Sequence, residues 1–310
     1  MLRLALGYGL VVMTVSGCVI ASSSSTTLDS DKTVDTGTLH VQAISAGDAT
    51  TCALLTDGEV RCWGGNNLDG QRDAPAGPFS QIAFRGDHGC GLRADGSLGC
   101  WGDNDGGKLD PPAGVAFSQI SAGTYHKCGL TTAGAVACWG QLAGNMLGEF
   151  PSANGFVQLA AGQTLSCVLD NAGVATCWGK ARLDPVAVPA GETFTSLAAG
   201  NYHACGLRAD GTAVCWGNDE HGQLAAPTTV FTALTAGYGF SCGLLANGSV
   251  ECWGERPSND NGKQVYVAME SRPKDAFTRI EGGAFHACGV EADTTVTCWG
   301  DNFYGQLNAP

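Results

Sequence analysis

One pattern, Cys-x9-Cys-Trp-Gly, recurs seven times and constrains this chain more than any other feature. It appears first as CALLTDGEVRCWG, from Cys52 to Gly64. The second cysteine of each copy precedes Trp63, Trp101, Trp139, Trp178, Trp216, Trp253 and Trp299, which are all seven tryptophans of the 310 residues. Their spacings are 38, 38, 39, 38, 37 and 46. A period near 38 suits either propeller blades or some helical arrays. The residues in between favour strands. Eight residues before the first Cys stand Ile44, Ile82, Ile120, Leu159, Leu197, Leu234 and Ile280, and two residues after it Leu54, Leu92, Leu130, Leu169, Leu207, Leu244 and Val290. No long stretch keeps the apolar 3.6-residue spacing of a helix.

Each repeat reads as strand, turn, strand, hairpin, strand. Gly47, Gly123, Gly162, Gly200, Gly237 and Gly283 mark the first turn, and Arg85 breaks that rule in the second repeat. Asp57-Gly58, Asp95-Gly96, Asp210-Gly211 and Asn247-Gly248 are strong hairpin signals, whereas Asp293-Thr294 lacks the glycine and predicts a looser last hairpin. A short fourth strand is expected near Gln71, Gln223-Leu224 and Gln306-Leu307. Alternation along the strands puts both cysteines and the neighbouring aliphatics on one face and Trp on the other. Each Trp is therefore expected to pack on an adjacent repeat. The cysteine pairs read as hairpin disulfides: Cys52–Cys62, Cys90–Cys100, Cys128–Cys138, Cys167–Cys177, Cys205–Cys215, Cys242–Cys252 and Cys288–Cys298. Their x9 spacing across a hairpin fits no common zinc pattern, and no metal or other cofactor is expected. The chain starts with a first-type strand and ends after Gln306-Leu307, so the repeats could close end to end without exchanging a strand.

The fifteenth cysteine, Cys18, lies outside the repeats. It follows Arg3, an apolar run from Leu4 to Val15, and Val15-Ser16-Gly17. The run is short for a membrane span and has the length of a signal-peptide core. Val15-Ser16-Gly17-Cys18 resembles the lipobox of bacterial lipoproteins, in which the Cys is lipidated on sulfur. Residues 1–17 are thus expected to be a signal peptide, and residues 18–38 a lipidated Cys with a flexible Ser/Thr/Asp-rich tether. Residues 39–310 form the repeat domain. Heavy cysteine use points to an oxidising compartment. The lipid on Cys18 implies a bacterial outer membrane or cell surface. A net charge of −13 argues against nucleic acid as a partner.

Units such as AGNYHACGLRADGTAVCWGNDEHGQL (Ala199 to Leu224) and GGAFHACGVEADTTVTCWGDNFYGQL (Gly282 to Leu307) resemble the regulator of chromosome condensation repeat. The resemblance covers about residues 39 to 310 and implies an all-β, seven-bladed β-propeller. The paired cysteines look like the secreted bacterial version of the repeat. The nucleotide-exchange activity of the founding nuclear member is not carried over, because fold does not fix function.

No convergent catalytic set is evident. Position −2 from the first Cys holds Thr50, His88, His126, Leu165, His203, Phe240 and His286, which read as structural histidines more readily than as a metal ring. Gly239-Phe240-Ser241-Cys242-Gly243 matches a nucleophile motif, but a nucleophile elbow needs a strand-to-helix turn. Asp103-Asn104-Asp105-Gly106 opens like a calcium loop yet has Lys108 where an EF-hand requires glycine. The most individual stretch is the insertion between Glu255 and Ala276, with Arg256, Tyr266, Met269 and Arg272 as candidate partner-binding residues. The expected function is a non-catalytic, membrane-anchored scaffold, monomeric, with an unknown protein or surface glycan as partner. Two alternatives stand beside it: an inhibitor gripping an extracellular enzyme with one propeller face, and a polysaccharide-acting enzyme or lectin at the channel mouth.

Overall fold

The computed structural model describes residues 40–141, 149–181, 184–254, 256–260, 263–267 and 276–310. The expected signal peptide, Cys18 and the expected tether lie outside them. The repeats fold into seven antiparallel sheets, each from consecutive strands of one repeat. The first blade comprises β1 (Val41–Ala46), β2 (Thr50–Leu55) and β3 (Val60–Gly64), and the other six follow its pattern. The fourth blade adds a two-residue strand, Asp184–Pro185, and the insertion of the sixth contains its own hairpin, Arg256–Asp260 with Lys263–Val267.

Cross-strand register explains the cysteine spacing. Cys52 lies directly opposite Cys62, and the same pairing recurs in all seven blades. Each pair is disulfide-bonded, with Cα atoms 4.0 Å apart.

Seven apolar clusters fill the seams between blades. In one, Cys52 and Leu54 of blade 1 meet Phe79, Ile82 and Trp101 of blade 2. In another, Cys288 and Val290 of blade 7 meet Val41, Ile44 and Trp63 of blade 1. The ring therefore closes by packing and not by a shared strand. Every Trp is buried against the preceding blade, as alternation predicted.

The expected fourth strands at Gln71, Gln223 and Gln306 are turns instead. The reason is the glutamine, whose side chain is fully buried and bonds within its own loop. Gln71 donates to Asn66 Oδ1 at 3.0 Å and accepts from the Asp69 amide at 3.1 Å. Gln223 and Gln306 do the same with Asn218/His221 and Asp301/Tyr304. This aims the glutamine's carbonyl at the next blade, where it accepts the indole N–H of Trp101, Trp253 or Trp63 at 3.0–3.1 Å. The last hairpin is not looser either. Thr294 adopts φ 72° where the other hairpins have glycine, and its amide still donates to Glu291 O at 3.1 Å. A β-branched residue in that region is strained.

Candidate functional site

The ring has two faces. The hairpin face carries the Asp-Gly turns. The turn face carries the first-to-second-strand turns and the loops that leave each third strand. On the turn face the glycine turns pack shoulder to shoulder around the axis. The amides of Asn201, Tyr238 and Ala284 donate to Gly237 O, Ala284 O and Gly47 O. A Cβ at Gly162 would run into the carbonyl oxygen of Gly200, which is why this position needs glycine.

Arg85 is the exception, and its guanidinium bonds to Asn201 Oδ1. Arg85 belongs to blade 2 and Asn201 to blade 5, three steps apart in a ring of seven, so the bond crosses the axis. Arg85 is 5% exposed and closes this end of the central channel. Asp48 and Glu281 share its surroundings. Burial raises the Asp48 pKa, opposed by Arg85, and lowers that of Arg85, opposed by Asp48 and Glu281. Burial pushes Glu281 up to about 7, with Arg85 pulling it back.

Around this axial cluster lies an aromatic arc. The rings of Tyr202 and Tyr238 meet edge to face at 5.7 Å, Tyr238 and Phe285 at 5.6 Å, and His221 and Tyr238 at 5.9 Å. All four are partly exposed. Further out on the same face Phe303 and Tyr304, 76% and 51% exposed, pack edge to face at 4.8 Å. The face is also acidic: burial raises the pKa of Asp87, and the neighbouring Asp69 and Asp103 add to that shift. Sequence reasoning missed this arc because Tyr238 stands one position before the one that holds Tyr202 and Phe285, and His221 comes from the loop after a third strand.

The four repeat histidines are buried, and three bridge blades. His126 Nε2 meets Ser166 Oγ at 2.7 Å, His203 Nε2 meets Ser241 Oγ at 2.8 Å, and His286 Nε2 meets Thr51 Oγ1 at 2.7 Å. Each partner stands just before the first Cys of the next repeat. Desolvation first of all holds His126 and His203 down to about 3, so both are neutral. The His203–Ser241 pair superficially resembles a catalytic dyad. It is sealed from solvent, His203 Nδ1 has no partner to orient it, and the same pair recurs in two other seams. It is a structural staple. His88 departs from the pattern, because Lys127 replaces the hydroxyl. Neither nitrogen of His88 nor Lys127 Nζ has a hydrogen-bond partner.

The calcium-like loop is occupied by its own side chains. Asp103 pairs with Lys108 and accepts from the Asp105 amide, while Asn104 Oδ1 accepts from Leu109. Among the described residues no three His, Cys, Asp or Glu side chains gather as a metal site would require. Arg256 and Tyr266 stand on opposite strands of the insertion hairpin, which continues from the turn-face end of blade 6 at Gly254. Met269 and Arg272 lie outside the described residues.

The sequence model of the regulator of chromosome condensation (RCC1) repeat matches residues 41–71, 194–223, 231–263 and 277–306. No curated protein matches the chain in sequence. Among solved structures, the ectodomain of the Physcomitrella patens receptor kinase CR4 is similar at 26% identity and TM-score 0.69, over 84% of this chain and 74% of that one. The CRINKLY WD40 ectodomain of the Arabidopsis thaliana receptor kinase ACR4 is similar at 27% identity and TM-score 0.68, over 87% and 98%. Prp20p from Saccharomyces cerevisiae, described with its binding to Gsp1p and histones, shares the fold at 19% identity and TM-score 0.62, over 87% and 84%.

Proposed function

The chain belongs to the regulator of chromosome condensation repeat family, and on that premise we propose that it is an exported, non-catalytic protein-interaction module, tethered by a lipid on Cys18. The observation that carries this reading is the turn face. There Tyr202, Tyr238, Phe285 and His221 form a contiguous aromatic arc, and the exposed Asp219 and Glu220 precede His221 in its loop. Aromatic side chains bury large area at low entropic cost and are enriched at interfaces. The surrounding acidity favours a partner with a basic patch. Seven disulfides support export, as does the likeness to two receptor ectodomains at 26% and 27% identity. With residues 1–17 removed as a signal peptide, a lipidated Cys18 and a tether over residues 18–38 would hold a monomeric ring clear of the membrane.

Two measurements test this. Mass spectrometry of the cell-associated protein should find a mature chain beginning at a lipidated Cys18, and an unmodified Cys18 would refute the anchor. Affinity capture with the purified ring should recover a protein that is lost with a Tyr238→Ala/Phe285→Ala double variant. Capture that survives the double variant would move the site elsewhere. Inhibition of an extracellular enzyme is a second reading. It is favoured by the paired strands Arg256–Asp260 and Lys263–Val267, which follow the last strand of blade 6 in sequence.

A further inference from the structure

The first strands of all seven blades enclose a cavity of about 390 Å³ on the axis. The Arg85–Asn201 bond closes it on the turn face, leaving a cup that opens on the hairpin face. Most of its wall serves the ring. Gln81 clamps the next blade by donating to Ile120 O at 2.9 Å and accepting from Ile120 N at 3.1 Å, and Gln158 does the same with Leu197. Two positions further along the strand, Ser45, Ser121 and Thr235 accept from the next blade's Phe84, Ala161 and Gly282 amides.

Blade 7 gives up both clamps. Arg279 stands at the glutamine position and Glu281 at the hydroxyl position. Among the described residues neither side chain makes a hydrogen bond, and both line the cup. Arg85 lies one step deeper in the same register, and its buried Nε has no partner. Residues two apart on a strand are about 7 Å apart. The three side chains therefore form tiers: a cation at the mouth, a carboxylate in the middle and a cation at the floor. The facing wall on blades 3 and 4 is small at the Glu281 position, with Ser121 and Ala160. A repeat that gives up its clamping side chains for charges that hydrogen-bond nothing in the ring marks a site whose requirement is not structural. The volume falls within the range of small-ligand pockets.

We propose that this cup binds a small zwitterion of the α-amino-acid class, its ammonium on the Glu281 carboxylate and its carboxylate on Arg85 Nε. Arg279 at the mouth draws the carboxylate end inward. The site is distinct from the turn face and stands or falls separately from partner docking there.

The test is calorimetric titration of the intact, oxidised ring with a panel of free amino acids. Each is compared with its carboxamide, its N-acetyl derivative and neutral monosaccharides. At least one free amino acid should bind, and losing either charge should weaken it by about tenfold or more, as expected when a charged hydrogen bond is removed. Glu281→Gln should weaken it similarly without altering capture of a protein partner. Arg279→Gln, which restores the clamp residue of blades 2 to 4, should mainly slow association. No binding up to about 10 mM, far weaker than an ordinary ligand site, would overturn the proposal. So would equal affinity for the capped derivatives or the sugars, or a Glu281→Gln protein that binds as well as the parent.

Discussion

Replacing Lys127 with methionine should stabilise this protein. Lys127 is 1% exposed in the seam between blades 2 and 3, and its ammonium has no hydrogen-bond partner. Burial, and then the neighbouring Lys108, hold its pKa well below 10.5, while Asp103 opposes them. Methionine keeps most of the side chain's length and packing but carries no buried amine. An unsatisfied buried polar group costs about 1–3 kcal/mol, so a gain of that order is expected at neutral pH. The sign of the pH dependence is fixed. The unfolded chain takes up a proton below pH 10.5 that the folded chain resists, so the native lysine costs stability as pH falls from there. The benefit of Lys127→Met should therefore be smallest near pH 10.5 and grow towards pH 7. Urea unfolding with disulfides intact reads this as a midpoint shift at unchanged slope. A variant less stable than the parent, or a gain that does not grow as pH falls, would refute the reasoning.

Three further outcomes follow from the same geometry. Glu281→Gln should add up to about 3 kcal/mol above pH 7, because ionising a carboxyl raised from 4.5 to about 7 opposes folding; the gain should vanish below pH 4.5 in the same unfolding assay. Ser241→Ala strands the buried His203 and should cost about 1–3 kcal/mol by thermal melting, whereas Ser249→Ala in the exposed hairpin should cost little. Thr294→Gly relieves a positive φ and should raise stability by about 1 kcal/mol, the strain outweighing glycine's entropy; a loss would show that the Thr294 side-chain contacts matter more.

The blade is largely written in the sequence, because a covalent staple and a two-residue alternation leave few alternatives. Cys52 and Cys62 had to face each other, and Trp63 then had to face a neighbour. The segments at Gln71, Gln223 and Gln306, expected as strands, are turns. Nothing in their composition shows that the buried amide of Gln71 folds the loop onto itself. The order of blades carries a signal that was available but unread. Where position −2 of one repeat is histidine, the next repeat offers Ser166, Ser241, Thr51 or Lys127. Where it is Leu165 or Phe240, the next offers Ala204 or Ala287. Each pair spans a seam, so shape and hydrogen bonding there are matched across about 38 residues of chain. Arg85 was visible only as a broken rule. Its reach to Asn201 requires two blades to be opposite each other, a property of ring closure that no local pattern contains. The aromatic arc was hidden for a similar reason. Tyr238 and Phe285 occupy unequal repeat positions and meet only because their turns are adjacent.

The proposed function places a protein partner on the turn face. Site-specific photocrosslinking on the native cell surface tests it most directly, with the photoreactive residue placed at Tyr238 on the arc or at Val174, an exposed hairpin position 47% accessible on the other face. A discrete crosslinked protein is expected from position 238 and none from 174. Equal crosslinking from both faces, or a product from 174 alone, would contradict it.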